Sequence, residues 1–196
     1  MIRRFRGVKP EIRVLGVDDG VFTPHIKGKV SVIGVVFRGG YWLDGVMHTQ
    51  IDVDGFDATE NIGNMIVNSP HCKQLRVVML NGVTFGGFNV VDIKQLSLET
   101  KLPVVAVVRD KPDFKKIHEA IGHLPKSEKR WQAVLSAGRE FEVSTRSKAE
   151  KVYFHVAGIH EDDAKKILRL TSTRSSVPEA LRVAHIVASG VSCGNS

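Results

Sequence analysis

The sequence predicts an α/β fold built on a sheet of mixed direction and flanked by helices. Two observations predict it. Three strand-forming runs come first with no helical segment between them, and strands joined by short connections pair antiparallel. Helical and strand-like segments then alternate, as in a sheet extended by crossover connections. The strands of that second part, "LRVVML" (75–80) and "LPVVAVV" (102–108), are almost entirely apolar, as strands covered on both faces must be.

The opening strands are "IRVLGVD" (12–18), "KVSVIGVVF" (29–37) and "YWLDGVMHTQIDV" (41–53). Gly39-Gly40 is a hairpin signal between the second and third. A helix over 57–69 follows from Ile62, Met65 and Ile66 at helical spacing. Asp57 is its N-cap, and Glu60 completes a capping-box pattern. After the 75–80 strand comes the glycine-rich loop "NGVTFGGFN", then a helix over 90–101 and the 102–108 strand. The loop can offer backbone N–H groups to a phosphate. Further on, the pattern gives a helix over 111–122 after Pro112, a strand over 151–159, and helices over 160–171 and 178–190. Pro178 suits the first turn of the last helix and Gly190 its end. No repeat or linker divides the chain, so residues 1–196 are expected to form one domain.

Composition narrows the classes. Hydrophobic residues make up 42% and charged residues 25%, ordinary for a globular protein. The net charge of +7 favours an anionic partner, nucleic acid first. Cys72 and Cys193 form no CxxC or paired framework, which points to a reducing, cytoplasmic setting. No apolar run reaches the ~20 residues of a membrane helix. The basic N-terminus lacks the apolar core of a signal peptide. P-loop, GxGxxG and GxSxG motifs are absent, and the histidine spacings do not suit zinc.

The charges are segregated. From Gly39 to Cys72 there is no Lys or Arg, yet the window holds Asp44, Asp52, Asp54, Asp57 and Glu60. Crowded carboxylates need solvent or a cation, and Mg²⁺ or Mn²⁺ takes one or two of them with waters and phosphate oxygens. Basic residues gather elsewhere, among them Arg109, Lys111, Lys126, Lys129, Arg130, Arg146, Lys148, Arg174 and Arg182. A basic surface around an acidic pocket suits a phosphodiester-handling enzyme. The first strand ends in Asp18-Asp19-Gly20, where a carboxylate has a rigid mount. Strand alternation turns Asp19 to the face opposite Asp18, which makes it a turn cap.

The segments "VLGVDDG", "VDGFDATENI", "VVMLNGVTFGGFNVVDI" and "RSSVPEALRVAHIVASG" resemble a largely archaeal, uncharacterised group, domain-of-unknown-function family 99, over nearly the whole chain. That family is in turn similar to endonuclease V, whose fold is ribonuclease H-like. The resemblance implies three antiparallel strands, then a fourth strand beside the first, so that Asp18 lies next to Asn81. It implies a Mg²⁺ or Mn²⁺ site at Asp18, Glu60 and Asn81, with His185 of the Pro178–His185 pattern facing it as a catalytic group. Asp19, Asp57 and Asp92 are secondary candidates. Arg109, Lys111, Arg174 and Arg182 are the candidates for contacting nucleic acid. Departures are visible too. Ungapped counting places Asn61, not Glu60, at the helix carboxylate of endonuclease V, and Asn81 replaces an aspartate. The aromatic and proline wedge has no counterpart in "QIDVDGF", which argues against recognition of deaminated bases.

Three functions therefore stand at the sequence level. The first is a divalent-metal-dependent nuclease or phosphodiesterase. The second is a nucleic-acid-binding module of the same fold that has lost the chemistry, motivated by Asn81. The third is a metal-dependent enzyme on a small phosphorylated or nucleotide substrate, motivated by the acidic 52–60 stretch.

Overall fold

The computed structural model describes residues 4–24, 26–147 and 150–193; Lys148 and the side chain of Cys193 lie outside the described residues. Strands β1 (Arg13–Asp19), β2 (Lys29–Arg38) and β3 (Trp42–Asp52) form an antiparallel meander. Gly39, at φ 60°, makes the expected turn between β2 and β3. Helix α1 (Ala58–Val67) leads to β4 (Val77–Asn81), which pairs parallel with β1. A small hairpin, β5 (Thr84–Phe85) and β6 (Asn89–Val90), precedes α2 (Ile93–Thr100), and β7 (Val104–Val108) then pairs parallel with β4.

The chain continues through α3 (Phe114–Gly122), α4 (Ser127–Ser136), β8 (Phe141–Ser144), β9 (Lys151–Ala157), α5 (Glu161–Thr171) and α6 (Glu179–Cys193). The main sheet has seven strands in the order β3-β2-β1-β4-β7-β9-β8. This is the mixed α/β sheet that the pattern of segments predicts. Among the described residues no helix is long and apolar enough to cross a membrane.

Alternation along the strands divides the core in two. Val14, Ile33, Val35, Val105 and Val107 pack beneath α5 and α6. Leu15, Val17, Val32, Val78 and Leu80 pack beneath α1 and α2. A central strand buried on both faces has no polar face to alternate with, so β1 reads as an unbroken apolar run until Asp18.

Three expectations need correction. Helix α4 and strand β8 occupy a stretch where the residue pattern predicts no element. Helix α4 buries only Arg130 and Val134, and β8 only Val143, so neither carries a full apolar stripe. Residue 57 takes the N-cap position of α1, but its side chain makes no capping bond, and the Ala58 N–H donates instead to Asn89 Oδ1 at 3.0 Å. Helix α6 runs three residues past Gly190.

Two glycines set the distance between β1 and α6. A Cβ on Gly16 would overlap the backbone carbonyl of Ala180, and one on Gly20 would overlap the Ser192 hydroxyl close to the Ala188 carbonyl. Four strand residues rise about 13 Å, and the eight helix residues from Ala180 to Ala188 rise about 12 Å. Strand and helix thus run in step, in direct backbone contact at both glycines. Asp18 lies midway between them on the same face of β1.

Candidate functional site

The carboxylate of Asp18, almost fully buried, is where three elements meet. Asn81, the last residue of β4, donates from Nδ2 to Asp18 Oδ2 at 3.0 Å. His185 of α6 brings Nδ1 to the same oxygen at 2.9 Å. The backbone N–H of Asp19 donates to Oδ1 at 3.0 Å. Parallel pairing of β1 with β4 puts both strand C-termini at one end of the sheet, and the Gly16–Ala180 contact brings α6 close enough for His185 to reach across.

Burial pushes the Asp18 carboxyl above its ordinary range, and the bonds from Asn81, Asp19 and His185 offset only part of that effect. With Asp18 ionised, the His185 hydrogen sits on Nδ1 and leaves Nε2 as the free acceptor. The two side chains differ in access: that of Asp18 is 3% exposed and that of His185 61%. Beside them opens a cleft of about 350 Å³ lined by Asn81, Val108, Arg109, Asp110, Leu181 and His185.

Asp19 turns to the opposite face, as alternation requires. Its Oδ2 accepts the Gly86 N–H at 2.6 Å. Burial, with the charge of Asp18 next to it, pushes this carboxyl up to about 6. The 81–89 loop is therefore committed inward: Gly86 donates to Asp19, and Phe88 donates to Asp54 Oδ1 at 2.8 Å. These N–H groups, expected to hold a phosphate, hold protein carboxylates instead.

The remaining predicted acids do not join Asp18. Glu60 is exposed on α1 and lines a separate hollow with Asp92 and Gln95. The reason is helical rotation: one residue turns a side chain by about 100°. Asn61, one position on, is the residue that faces the sheet, donating to the Gln50 carbonyl at 3.1 Å and to Asp57 Oδ2 at 2.8 Å. Asp57 also accepts from Asn89 at 2.6 Å and from the Asp52 N–H. Asp92 caps α2 through Lys94 and Gln95.

The acidic window is largely neutralised from within the chain. Asp44 meets Arg13 and Arg38, and Asp52 meets Lys29. Among the described residues, the one group of three acid or histidine side chains close enough to share an ion is His160, Glu161 and Asp162. There the His160 ring already caps α5.

Of the predicted cations, Arg109 and Arg182 line the cleft, whereas Lys111 and Arg174 do not. Arg182 is engaged within its own helix, where its Nη2 lies 2.8 Å from Oε2 of Glu179, a carboxylate only 2% exposed. The part played by Arg130 was not foreseen. Its guanidinium is buried and donates to the carbonyls of Asp54, Gly55 at 2.9 Å, Phe88 and Pro125 at 3.2 Å. It ties the turn after β3 to the β5–β6 hairpin, and the Phe56 ring stacks on it. The only sequence signal for α4 was the weak helical spacing of Trp131, Val134 and Leu135.

Comparison with known proteins gives this geometry a family. The chain is 53% identical to a UPF0215 protein of Methanothermobacter thermautotrophicus over 98% of this chain and 93% of that one. It superposes on the crystal structure of a protein of unknown function from Archaeoglobus fulgidus with a TM-score of 0.82 and 36% identity, covering 92% and 98% of the two chains. Endonuclease V of Bacillus subtilis matches at a TM-score of 0.62 and 14% identity, covering 97% of this chain and 85% of that one. The Ciona intestinalis endonuclease V solved with a 24mer DNA containing an inosine matches at 0.57 and 14%, covering 88% and 82%. At such identity these two matches establish the fold, which is ribonuclease H-like. A family model described as endonuclease dU matches residues 10–192, and the chain belongs to that family.

Proposed function

We propose that this protein is a divalent-metal-dependent endonuclease that cuts DNA at deoxyuridine. The observation that carries the reading is the shared oxygen, Asp18 Oδ2, at the end of β1, held by Asn81 from the end of the parallel strand β4 and by His185 from α6, beside a cleft. The family description, endonuclease dU, supplies the substrate. It also bears on the missing wedge: the family's description names a deaminated base as target, and this chain carries no such device in "QIDVDGF".

The donors fit a hard or borderline divalent ion. Asp18 offers a carboxylate, and Asn81 an amide oxygen in place of the N–H it gives to Asp18. Mg²⁺ and Mn²⁺ are content with one or two carboxylates when water and phosphate oxygens complete the shell. Such an ion supplies an acidified water and offsets charge on the scissile phosphate.

The protein's own groups do the rest. Asp18 keeps His185 in the tautomer whose Nε2 can take a proton. Arg109, at the cleft rim, contacts the phosphate. Arg182 pairs with Glu179 at the start of α6 and so fixes the helix that carries His185.

Asn81, in place of a carboxylate, favours a second reading, a nucleic-acid-binding module without cleavage. The third reading loses its motive because Asp52, Asp54 and Asp57 already hold partners within the chain. Incubating the protein with a duplex carrying one deoxyuridine, in Mg²⁺ or Mn²⁺, separates the first two. Cutting beside that base, lost in Asp18→Ala, is the expected result. Retention of the DNA without cutting in either metal would give the binding module the case.

A further inference from the structure

We propose that this protein forms a two-fold symmetric dimer in which β3 pairs antiparallel with β3 of a second copy. The main sheet has two edges, and they are treated differently. Strand β8 is short, four residues, and carries the Glu142–Lys151 ion pair. Short, charged edges are how sheets avoid pairing with other chains. Strand β3 is eleven residues long and contains no Lys, Arg or Pro.

The outer side of β3 is open where it is most apolar. At the Asp52 end its backbone is occupied: Asn61 donates to the Gln50 carbonyl, and Asp57 accepts the Asp52 N–H. Among the described residues no side chain of another element bonds the backbone of residues 42–49. In and beside that stretch Tyr41 is 68% exposed, Trp42 59%, Leu43 53% and Val46 49%. Large apolar side chains beside unpaired strand groups mark a contact surface.

Charge selects the occupant. The window from Gly39 to Cys72 lacks any cation, and the two that reach the open stretch from β1 and β2, Arg13 and Arg38, are held by Asp44, so a nucleic-acid backbone gains little there. Two copies of a +7 chain repel wherever their basic surfaces meet. Along β3 that repulsion is absent, and Asp44, the one acid of the open stretch, is already matched by Arg13 and Arg38. An antiparallel edge is complementary to itself, which is the requirement of a two-fold contact. The β3 strand runs parallel to β1, with Trp42 level with Arg13 and His48 level with Asp18 across β2, and antiparallel pairing of two β3 strands turns one sheet end for end relative to the other. In the dimer the two clefts point in opposite directions, and dimerisation is independent of the proposed nuclease activity.

Sedimentation velocity on the full chain tests the proposal, with wild type compared with Val46→Lys and Leu43→Lys. Wild type is expected at twice the 21.6 kDa chain mass with a melting temperature that rises with protein concentration, and both variants at the single-chain mass with a wild-type circular-dichroism spectrum and a concentration-independent melting temperature. Hydrogen exchange should show residues 42–49 protected in wild type and open in the variants. A wild type that stays monomeric at about 100 μM, where ordinary stable interfaces are saturated, overturns the proposal. So do variants that remain dimeric.

Discussion

His185 Nδ1 lies 2.9 Å from Asp18 Oδ2, although 167 positions separate the two residues in the chain. The contact depends on a third residue that touches neither. Gly16 lets α6 rest directly on β1, and the helix then rises in step with the strand until His185 is level with Asp18.

Replacing Gly16 by alanine is expected to break that arrangement. The new methyl meets backbone at Ala180, which cannot rotate away. Overpacking of this kind costs about 1–3 kcal/mol or more. Gly20→Ala should cost less, because its nearest neighbour is the movable hydroxyl of Ser192. Chemical denaturation orders the two variants. Equal losses would show that the Gly16 contact does not hold the helix.

The Asp19 carboxyl gives the metal-free protein a characteristic pH dependence. Its folded value of about 6 lies above the ordinary 3.8, so the folded state binds the extra proton between the two. Stability therefore falls as pH rises from about 4 to 6, and the loss is complete above that. A shift of about two pKa units corresponds to about 3 kcal/mol. Asp19→Asn can still accept the Gly86 N–H and should be the more stable protein at pH 7. Melting curves in chelator across pH 4–8 check this; parallel curves for the two proteins would refute it.

Asn81→Asp adds the carboxylate that the site lacks. Without metal, two adjacent buried acids repel and raise each other's pKa, so the variant should melt lower in chelator. Added Mn²⁺ should bind it at least tenfold more tightly than wild type, about 1.4 kcal/mol, as measured by titration calorimetry. Glu60→Gln, by contrast, should leave Mn²⁺ binding unchanged, since Glu60 lines a different hollow.

Arg130→Ala should be among the most damaging changes away from the site. It strands four carbonyl groups that the guanidinium now satisfies. Unsatisfied buried acceptors cost about 1–3 kcal/mol each before relaxation and hydration. Lysine cannot fork to several carbonyls at fixed angles, so Arg130→Lys should recover little. Proteolysis within 54–56 and 85–88 reports the loosening, and a variant as resistant as wild type would show that α4 does not anchor these loops.

Local signals along the chain were enough to define the mixed sheet. β-Branched runs, the Gly39-Gly40 turn and the order of strands and helices are all written in consecutive residues, and β1, β2, β3, β4 and β7 lie within a few residues of their expected places. Asp18 was marked in the same way, by the strand end it occupies, whereas Asn81 and His185 were marked by the resemblance to endonuclease V. Which acids meet was settled by packing. Glu60 and Asn61 are neighbours in sequence, yet a single helical step of about 100° separates the residue facing the sheet from the one facing solvent. The role of Arg130 was invisible for a related reason. Its four acceptors are backbone carbonyls, which every residue possesses, so only the meeting of three distant segments could identify it.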